Sequence, residues 1–588
     1  MSIQSVFIRV LPLSVLSAIF LVACGGSGDN PTTSVPPPAS PQPTNPPAPL
    51  VSYTVTEIQQ TSSPLPIGGC LQSSSENVMA FNDVSNAAGL CYSVDLSAQD
   101  SIPARVAGGI AVNDIDNDGL LDLYVTHGRN QKGKLLAQQD TLNFLDITID
   151  AGISVLETDH SSVFVDIDHD GDQDLISYLE ASPYIQIFAN QGGQRFNDIS
   201  HLVDLTLSKV AYSTAVSDID LDNDLDIFIT HWDPENEQHR WEFLWRQESP
   251  GVYKDVSDTL ELEPFNKLAD GESGDEFSFT PAFADINDDK YPDLLIAADW
   301  GTSQYLVNQS GEAFKDETIP VVVSDRAGMG AAVADYDNDG DLDWFVSAIG
   351  DTREEFLTIG LFDGNRLYQN DGNGNFLNMT DYAGVRQGYW AWGSCFADFN
   401  NDGFADLLVV NGYNGWTEEQ QQSGNFDHFE NTRALLYINQ HDGTFSEQGE
   451  ELGINHTDMG RGLVCYDYDR DGDIDALIAN SGLSPTLYRN DSFADGNNFI
   501  NIQLSGLRAN SQSVGARIYI TAGELNLMQE LQLGGQYVSQ APVEAHFGIA
   551  NANSIEEIRI QWPGLDVEDT VLNDIPANRF VTIEHPDK

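Results

Sequence analysis

The feature that most constrains this chain is an aspartate-rich loop of the form D-x-D-x-D-G-x-x-D, which recurs seven times with variations. Successive loops begin about 50 to 70 residues apart, a period that indicates stacked supersecondary units. This length suits a four-stranded propeller blade with insertions of variable size. We number the loops 1 to 7 by their first residues, which are Asp114, Asp166, Asp218, Asp285, Asp335, Asp398 and Asp467.

Each loop runs directly into a short segment of apolar, β-branched or aromatic residues, such as LYVT at 123–126 and WFVS at 344–347. These segments are strand signals rather than helix signals. Most repeats then contain a second strand signal of the type L-Y-x-N, as at 367–370. A third element, F-x-D-x-[ST], recurs from residues 81–85 onward. The repeat therefore predicts an all-β fold.

The copies of the third element are offset from the loops. The first copy begins at Phe81, before loop 1, and no copy follows the last L-Y-x-N segment at 487–490. A closed seven-bladed β-propeller explains this offset, because a strand from the N-terminal end completes the last blade and removes the open sheet edge. An open β-solenoid built from the same strands is the alternative. Beyond residue 490 the pattern changes to a small β-rich C-terminal domain.

The loop pattern suits a calcium ion. Carboxylates at positions 1, 3, 5 and 9, a backbone carbonyl at position 7 and a glycine at position 6 form an oxygen cage. An EF-hand is disfavoured, because no glutamate stands at position 12 and no helix follows. A lone loop is also explained by a solvated turn, but seven loops, each before a strand, predict up to seven Ca²⁺ sites. The ligands in the four intact loops are Asp114, Asp116, Asp118, Asp122, Asp166, Asp168, Asp170, Asp174, Asp335, Asp337, Asp339, Asp343, Asp467, Asp469, Asp471 and Asp475.

Three loops depart from this pattern. Loop 3 has Asn223 at the glycine position, a residue that tolerates a left-handed conformation. Loop 6 has the neutral amide of Asn400 at position 3. Loop 4 has Lys290 at the glycine position, where positive φ costs about 1 kcal/mol or more, so its site is predicted to be the weakest. The ligands predicted in these loops are Asp218, Asp220, Asp222, Asp226, Asp285, Asn287, Asp289, Asp293, Asp398, Asn400, Asp402 and Asp406.

The charge of the chain limits its partners. Its 91 acidic and 26 basic side chains give a formal charge of -65. Such a charge repels nucleic acid and an anionic membrane surface, so we predict no nucleic acid partner and membrane contact only through a lipid anchor. Divalent cations, cationic surfaces and neutral sugars stay open as partners. Outside the loops, a solvated surface explains the acidity equally well.

The N-terminus predicts the compartment. Residues 1–23 read as a signal peptide, and their L-V-A-C ending at Cys24 resembles the lipobox of bacterial lipoproteins. This resemblance implies lipidation of Cys24 and an extracytoplasmic location on the outer membrane or cell surface. An ordinary cleaved signal peptide is the alternative. Residues 24–50 are rich in Pro, Ser, Thr and Gly and form a linker, and residues 51–80 form an N-terminal segment.

Four further cysteines follow Cys24. In an oxidising compartment Cys70 and Cys91 are candidates for a disulfide, although sequence alone does not fix connectivity. Cys395 and Cys465 each precede a loop, and we interpret them as small buried apolar residues.

The motifs resemble two known families. The loops together with F-x-D-x-[ST] and L-Y-x-N resemble the FG-GAP/VCBS repeats of integrin α-type β-propellers over residues 81–490. Residues 491–588 resemble the ASPIC/UnbV domain of bacterial proteins and the cartilage acidic protein family, through SVGARI at 513–518, GGQYVSQ at 534–540 and IRIQWPG at 558–564. FGIA at 547–550 stands where the usual pattern has F-G-L-G. We interpret Arg517 and His546 as structural rather than catalytic.

The integrin-type topology places the calcium loops on one face and the ends of the following strands on the opposite face. Long insertions follow there, and variable loops on a rigid scaffold are where binding is usually built. We therefore predict a binding or adhesion surface for a glycan or an extracellular protein; the alternative is that its aromatic residues only pack the loops. The predicted ligand-binding residues are His127, Arg129, His231, Trp232, Trp300, Tyr413 and Trp416.

A calcium-dependent polysaccharide lyase or hydrolase is the rival function. It would draw on His127, His231 and Asp299, which are far apart in the sequence and would have to be brought together on this face by folding. The sequence contains no G-x-S-x-G, H-E-x-x-H, P-loop or Cys/His zinc spacing, so no catalytic residue is assigned. A binding protein is therefore favoured over an enzyme.

Overall fold

The computed structural model describes most of the chain beyond residue 80. The described residues are 53–56, 81–94, 105–129, 131–181, 184–207, 210–232, 243–260, 277–350, 362–413, 427–491, 496–507 and 510–588. The predicted signal peptide, the linker, Cys24, Cys70 and Trp416 lie outside them. Within these ranges, no helix has both the length and the apolar composition that a bilayer span requires.

Seven antiparallel sheets share one pattern: the first strand ends at an aspartate loop, and the second begins with the last aspartate of that loop. We number the sheets by their loops. Sheets 1 and 2 contain β3 (Ile110–Asn113), β4 (Asp122–Val125), β5 (Lys134–Asp140), β6 (Asn143–Asp146), β7 (Asp159–Val165), β8 (Asp174–Leu179), β9 (Ile185–Asn190) and β10 (Phe196–Asp198). Sheets 3 and 4 contain β11 (Thr214–Ser217), β12 (Asp226–Ile229), β13 (Phe243–Ser249), β14 (Val252–Asp255), β15 (Ser278–Ala284), β16 (Asp293–Ala298), β17 (Gln304–Asn308) and β18 (Phe314–Asp316).

Sheets 5 to 7 follow the same order. Sheets 5 and 6 contain β19 (Gly328–Ala334), β20 (Asp343–Ala348), β21 (Arg366–Gln369), β22 (Leu377–Asn378), β23 (Ala391–Ala397), β24 (Asp406–Asn411), β25 (Leu435–Asn439) and β26 (Phe445–Glu447). Sheet 7 contains β27 (Gly460–Tyr466), β28 (Asp475–Asn480), β29 (Thr486–Asn490) and β2 (Phe81–Asp83). Short helices also occur within the described residues, among them α1 (Thr380–Ala383), α2 (Gly449–Leu452) and the 3-10 helix Asp427–Phe429.

A strand from the N-terminal end completes sheet 7, as the offset of the motifs predicts. Strand β2 pairs antiparallel with β29, with Phe81 opposite Asn490. The Asp and the Ser or Thr of the third element, F-x-D-x-[ST], have a structural reason as well. In F-x-D-x-[ST], the aspartate accepts from the hydroxyl two residues later, as Asp83 does from Ser85 at 2.5 Å. The hydroxyl oxygen in turn accepts from the backbone of the third strand, at 2.9 Å from Leu487 N.

A ring of side-chain hydrogen bonds joins the seven sheets. In each sheet, an Asn or Gln in the third strand or directly after it donates to the backbone carbonyl of the second loop residue in the preceding sheet. Gln138 Nε2 donates to Tyr468 O at 2.8 Å and so joins sheet 1 to sheet 7. Because the ring closes on itself, it supports the predicted seven-bladed propeller and opposes an open solenoid. The other donors and acceptors are Asn190 and Ile115, Gln247 and Ile167, Asn308 and Ile219, Asn370 and Ile286, Asn439 and Tyr336, and Asn490 and Phe399.

Burial follows the position of each strand in its sheet. All residues of the first and second strands of sheet 2, β7 and β8, are buried, because neighbouring sheets cover both of their faces. The outermost strand β10 buries only Phe196 and exposes the two residues after it. This difference explains why the segments after the loops are continuous apolar runs, whereas the F-x-D element is mostly polar.

The C-terminal domain contains two further four-stranded sheets, which confirms a small β-rich domain. One sheet has the order β1-β37-β30-β34 and the other the order β32-β31-β35-β36. Strand β1 comes from the N-terminal segment, so both ends of the described chain meet in one sheet. The eight strands of these sheets are β1 (Tyr53–Thr56), β30 (Phe499–Ser505), β31 (Arg517–Ala522), β32 (Leu525–Glu530), β34 (Ala545–Gly548), β35 (Ser554–Gln561), β36 (Thr570–Pro576) and β37 (Arg579–Glu584). Strand β33 (Leu533–Gly534) instead joins the edge of sheet 3, where it pairs with β11.

Candidate metal centres

The first aspartate of each loop fixes the turn. Asp114 accepts hydrogen bonds from the backbone N–H groups of Asp118 at 3.1 Å and of Gly119 at 2.9 Å. The sixth residue must adopt the left-handed conformation for this turn, and Gly119 has a φ of 89°. Asn223 and Lys290 take the same conformation in loops 3 and 4, with φ values of 72° and 76°.

The ninth residue is held from two sides. Asp122 begins β4, is buried, and accepts from Ile115 N at 3.1 Å and from Gln138 N at 2.7 Å. The same pair of backbone donors recurs for Asp174, at 2.9 and 2.8 Å. The ninth aspartate is therefore a candidate ligand that also ties the start of its loop to the third strand of the sheet. The spacing of the ligands in the sequence did not indicate this second, structural role.

Five of the seven loops bring three carboxylates together, with one oxygen of each within 4.8 Å of the others. In loops 1, 2, 3 and 7 these come from positions 1, 3 and 9, and in loop 5 from positions 1, 3 and 5. The fifth-position Asp118 lies outside the group in loop 1, and its Oδ1 accepts from Leu120 N at 2.9 Å. The groups are Asp114, Asp116 and Asp122; Asp166, Asp168 and Asp174; Asp218, Asp220 and Asp226; Asp335, Asp337 and Asp339; and Asp467, Asp469 and Asp475.

The same five loops each contain a buried carboxylate oxygen that has no hydrogen-bond partner. A buried anionic oxygen without a partner is strongly unfavourable, and a cation would satisfy it. Several carboxylate oxygens around one point are the ligands that a hard divalent cation prefers. The residues of these five loops therefore fit a metal ion. The oxygens concerned are Asp116 Oδ1, Asp166 Oδ1, Asp220 Oδ1, Asp337 Oδ1 and Asp469 Oδ1.

The electrostatics of the loops agree with this fit. Burial, with the neighbouring carboxylates adding to it, raises the pKa of Asp122 and of Asp174 to about 8. The same causes raise the pKa of Asp335 to about 7. Without a cation, these groups hold protons near neutral pH, so metal binding must displace protons.

Loops 4 and 6 differ from the other five. Each has an amide at position 3, and its oxygen accepts from the backbone: Asn287 Oδ1 from Asp289 N at 3.1 Å, and Asn400 Oδ1 from Asp402 N at 3.0 Å. Neither loop forms a three-carboxylate group among the described residues. Of the up to seven predicted sites, five therefore form a three-carboxylate group, and the predicted weakest site, in loop 4, is not one of them.

The C-terminal domain covers loops 6 and 7. A ring nitrogen of His546 lies 2.8 Å from Asn401 Oδ1 in loop 6, and burial lowers the pKa of His546 to about 4, so the ring is neutral. In loop 7, Arg470 donates to both oxygens of Glu544 at 2.8 and 2.9 Å, and both side chains are buried. His546 thus has a structural role, in agreement with its interpretation from sequence.

A segment of the C-terminal domain also fills the middle of the ring of sheets. We call residues 533–540 the channel segment. Its Leu533 pairs with Val216 of β11, and Gln540 pairs with Ala111 of β3. The side chain of Gln540 accepts from Phe164 N at 2.6 Å and donates to Phe164 O at 3.2 Å. One segment of the C-terminal domain thereby joins the first strands of sheets 1, 2 and 3. The sequence analysis assigned its GGQYVSQ motif to the C-terminal domain but did not predict this contact with the ring.

The tip of the channel segment is Tyr537, which is fully buried. Its hydroxyl donates to Val106 O at 2.7 Å. Its ring packs against Phe279 and Trp392, with centroid distances of 5.7 and 5.4 Å. The channel segment also lies very close to Gly109 of the ring. A Cβ atom added at Gly109 would lie 1.7 Å from the carbonyl oxygen of Val538, the residue after Tyr537.

Most predicted ligand-binding residues are buried on the face opposite the loops. Trp232 stacks on Phe279 with a centroid distance of 5.4 Å, and Tyr413 lies 4.5 Å from Trp390. Their contacts support packing, the alternative that the sequence left open, rather than contact with a ligand. Trp300 is the exception, with 52% of its surface exposed. The exposed fractions of the others are 2% for His127, 8% for Arg129, 0% for His231, 5% for Trp232 and 5% for Tyr413.

The rival catalytic function would draw on His127, His231 and Asp299. Among the described residues, each of these side chains has a different hydrogen-bond partner. His127 Nε2 lies 2.7 Å from the Tyr92 hydroxyl, and burial lowers the pKa of His127 to about 4. His231 Nδ1 lies 2.7 Å from a different group, Val210 O. Burial raises the pKa of Asp299 to about 7, but its Oδ1 accepts from Trp300 N. This arrangement gives no support to an acid–base pair.

The structure corrects the interpretation of two cysteines. Cys395 and Cys465 form a disulfide between β23 and β27, with a Cα–Cα distance of 6.3 Å. They meet because each stands just before a loop, on the first strands of neighbouring sheets. Cys91 is disulfide-bonded too, whereas the predicted pairing of Cys91 with Cys70 involves a residue outside the described part.

Replacement of this disulfide is expected to lower the free energy of unfolding. The bond spans a sequence separation of 70 residues, for which the chain-entropy model gives about 4 kcal/mol. Urea unfolding of the Cys395→Ala, Cys465→Ala double variant, compared with the parent chain, measures the loss. Both proteins retain Cys91, so its disulfide is a constant. A loss below about 1 kcal/mol would contradict the expectation.

Comparisons with known proteins identify the repeat and the domain. The FG-GAP-like repeat model matches residues 114–177, 285–346 and 349–409, and the ASPIC and UnbV model matches residues 506–588. The chain therefore carries FG-GAP-like repeats, which imply a propeller, and a C-terminal ASPIC and UnbV domain. No curated protein sequence matches the chain.

Solved structures include similar chains at low identity. One is a lectin from Agrocybe aegerita described for specific recognition of non-reducing terminal N-acetylglucosamine. It is 16% identical to this chain, and the match covers 58% of this chain and 79% of that chain with a TM-score of 0.38. Another is BBS1N in complex with ARL6DN. It is 10% identical to this chain, and the match covers 70% of this chain and 97% of that chain with a TM-score of 0.37.

Proposed function

We propose that this chain is a calcium-stabilised extracytoplasmic binding or adhesion protein that recognises a glycan or an extracellular protein. The observation that carries the proposal is the position of the C-terminal domain. It contacts loops 6 and 7 and fills the middle of the ring. Recognition is therefore assigned to the face opposite the loops, and the loops are assigned to stability.

The opposite face has the features of a binding surface. Strands β12, β20 and β24 end on it, and long insertions follow these strands. Those insertions lie outside the described residues. Trp300 stands on the same face between β16 and β17, beside Phe277 at a centroid distance of 6.2 Å. Exposed aromatic rings are typical anchors of protein and sugar recognition.

Calcium is the ion that the loops suit best. The groups consist of carboxylate oxygens and contain no thiolate or imidazole, which favours a hard cation over zinc or copper. The glycine turn and the larger number of oxygens favour Ca²⁺ over the smaller Mg²⁺. In this proposal the loops hold calcium permanently, and the ion stiffens the turn between the first and second strands of each sheet.

The proposed location is the outer membrane or the cell surface, with a lipid on Cys24. The lipobox resemblance supports it, and the disulfide between Cys395 and Cys465 agrees with an oxidising compartment. Labelling with radioactive palmitate, compared between the parent chain and a Cys24→Ser variant, tests the anchor.

Binding by the opposite face predicts a selective effect of Trp300→Ala. A glycan array and a panel of extracellular matrix proteins, probed with the calcium-loaded chain, identify the ligand. Removal of an aromatic anchor at an interface costs about 2 kcal/mol, so the Kd is expected to rise about 30-fold. Tyr382→Ala is the matched control, because Tyr382 is also exposed, at 61%, but lines a cleft with Asp337 of loop 5. Its Kd is expected to change less than about twofold.

An equal loss of affinity in both variants, or a loss only in Tyr382→Ala, would place recognition on the loop face instead. The lyase or hydrolase alternative is tested on the same ligands by assays for new reducing ends and unsaturated products. Turnover that disappears in a His127 or His231 variant with unchanged calcium content would overturn the proposal of a binding protein.

A further inference from the structure

Loop 4 has partners for its charged groups that the five supported loops lack. Its first aspartate, Asp285, accepts from the backbone N–H groups of Asp289 and Lys290, both at 2.9 Å, as in other loops. Unlike those loops, it contains no buried carboxylate oxygen without a partner among the described residues. Loop 6 shares this feature, because both loops have an amide at position 3 whose oxygen accepts from the backbone. Loop 4 has in addition an arginine of the C-terminal domain against its first aspartate.

The guanidinium of Arg517 reaches into loop 4 from β31. Its Nη2 lies 3.6 Å from Asp285 Oδ2 and also donates to the backbone carbonyl of Asp285. Its Nη1 donates to Asp288 Oδ1 at 2.9 Å. The guanidinium thus contacts the first-position carboxylate, the group around which a metal-binding loop is built.

Glu530 of β32 fixes the guanidinium in this position. Arg517 and Glu530 are directly opposite each other in the β31–β32 pair, and Arg517 Nε donates to Glu530 Oε2 at 2.9 Å. The other oxygen of Glu530 accepts from Asp285 N at 3.2 Å. Arg517 and Glu530 expose only 6% and 3% of their side chains, so water screens these charges little.

Lys290 provides a second link at the same corner. Its Nζ lies 3.5 Å from Gly564 O of the C-terminal domain. The residue at the glycine position of loop 4 therefore points a positive charge toward the domain, and the unusual sequence of the loop acquires a structural reason.

We propose that the guanidinium of Arg517 takes the place in loop 4 that a metal ion takes in the five supported loops, so that loop 4 is a docking site for the C-terminal domain. A fixed positive charge 3.6 Å from the Asp285 carboxylate repels a divalent cation and offsets part of the negative charge of the loop. The amide of Asn287 at position 3 further lowers the negative charge that a cation needs. The attachment of the domain at this corner is then independent of calcium.

Loop 3 shows that an arginine near a loop does not by itself have this effect. Arg246 Nη1 lies 3.4 Å from Asp220 Oδ2, at the third position of that loop. Arg246 is 26% exposed, and the other oxygen of Asp220 still lacks a partner. Only in loop 4, among the described residues, does a buried guanidinium contact the first-position aspartate.

Calcium counting on the full chain tests the proposal with a matched pair of variants. Asp285→Asn and Asp335→Asn remove the same first-position charge from loops 4 and 5. After saturation with Ca²⁺ and removal of free ion, mass spectrometry of the metal is expected to find one ion fewer in Asp335→Asn and no change in Asp285→Asn. The loss of one ion in Asp285→Asn would overturn the proposal. Asp166→Asn replaces Asp335→Asn if that variant does not fold.

Hydrogen exchange adds a readout that does not depend on the ion count. On chelation, residues 335–343 are expected to exchange at least about tenfold faster, whereas residues 285–293 are expected to change less than about twofold. In Arg517→Met, residues 285–293 are expected to exchange at least about tenfold faster in chelator than in the parent chain. If the parent chain loses protection equally at both loops, or if Arg517→Met leaves residues 285–293 as protected as before, the guanidinium does not replace the ion. A chain that binds no calcium at all contradicts the proposed function, while the Arg517→Met comparison still decides this proposal.

Discussion

Removal of calcium is expected to lower the unfolding temperature by more than about 10 °C. A ligand that binds only the folded state stabilises it by about 2.7 kcal/mol when its concentration is 100 times its Kd, and five loops are built to bind one. The loss has a second source, because chelation leaves the partnerless oxygens of Asp116 and Asp337 buried without a cation. Differential scanning calorimetry of the calcium-loaded and the calcium-free chain measures the difference.

The effect of calcium removal is expected to grow with pH. In the calcium-free chain, the pKa of Asp122 and of Asp174 is about 8, above the value of about 3.9 in an unfolded chain. Between these values the folded state holds more protons than the unfolded state, so its stability falls as pH rises from about 4 to about 8. With calcium bound, these carboxylates are already deprotonated and their contribution to the slope disappears.

Melting curves at pH 5, 6, 7 and 8 test both statements. Calcium is best removed by dialysis and resin, since the affinity of a soluble chelator itself changes with pH. The gap between the loaded and the calcium-free chain is expected to be smallest at pH 5 and largest at pH 8. Equal melting temperatures at pH 8 would show that the loops do not depend on calcium for stability.

The repeat made most of the propeller predictable from sequence. Each loop, the strand after it and the F-x-D element are local patterns of a few residues, and their periodicity repeats seven times. The circular offset at Phe81 even predicted the closure of sheet 7, since only a strand from the start of the chain was left to complete it. The terminal asparagine of L-Y-x-N was visible as a motif, but its bond to the preceding sheet was not.

Long-range contacts were not predictable, because no local pattern encodes them. Arg517 meets Asp285 across 232 positions, and Gln540 meets Phe164 across 376. Trp232 and Trp300 follow second strands in neighbouring repeats, yet one is 5% and the other 52% exposed. The buried residue, Trp232, packs in the aromatic cluster around Tyr537. Tyr537 belongs to the channel segment of the C-terminal domain, so the burial of Trp232 depends on a part of the chain that is distant in sequence.

Replacement of Tyr537 by alanine is expected to be the most destabilising single substitution considered. The change empties a fully buried site between Phe279 and Trp392 and leaves Val106 O without its donor. Large aromatic-to-alanine changes in cores cost about 3 to 5 kcal/mol, because the cavity adds to the lost burial. Urea unfolding followed by tryptophan fluorescence and by far-UV circular dichroism measures the loss.

Tyr537→Phe separates the two sources of this loss. It keeps the ring in place and removes only the hydroxyl, so about 1 kcal/mol is expected. The exposed Tyr382 again supplies a control, since Tyr382→Ala is expected to change stability by less than about 0.5 kcal/mol. Because the channel segment pairs with the first strands of three sheets, its loosening affects the ring as well as the C-terminal domain, and both probes are expected to shift together. A Tyr537→Ala loss below about 1 kcal/mol, or a shift in only one probe, would mean that the channel segment does not couple the domain to the ring.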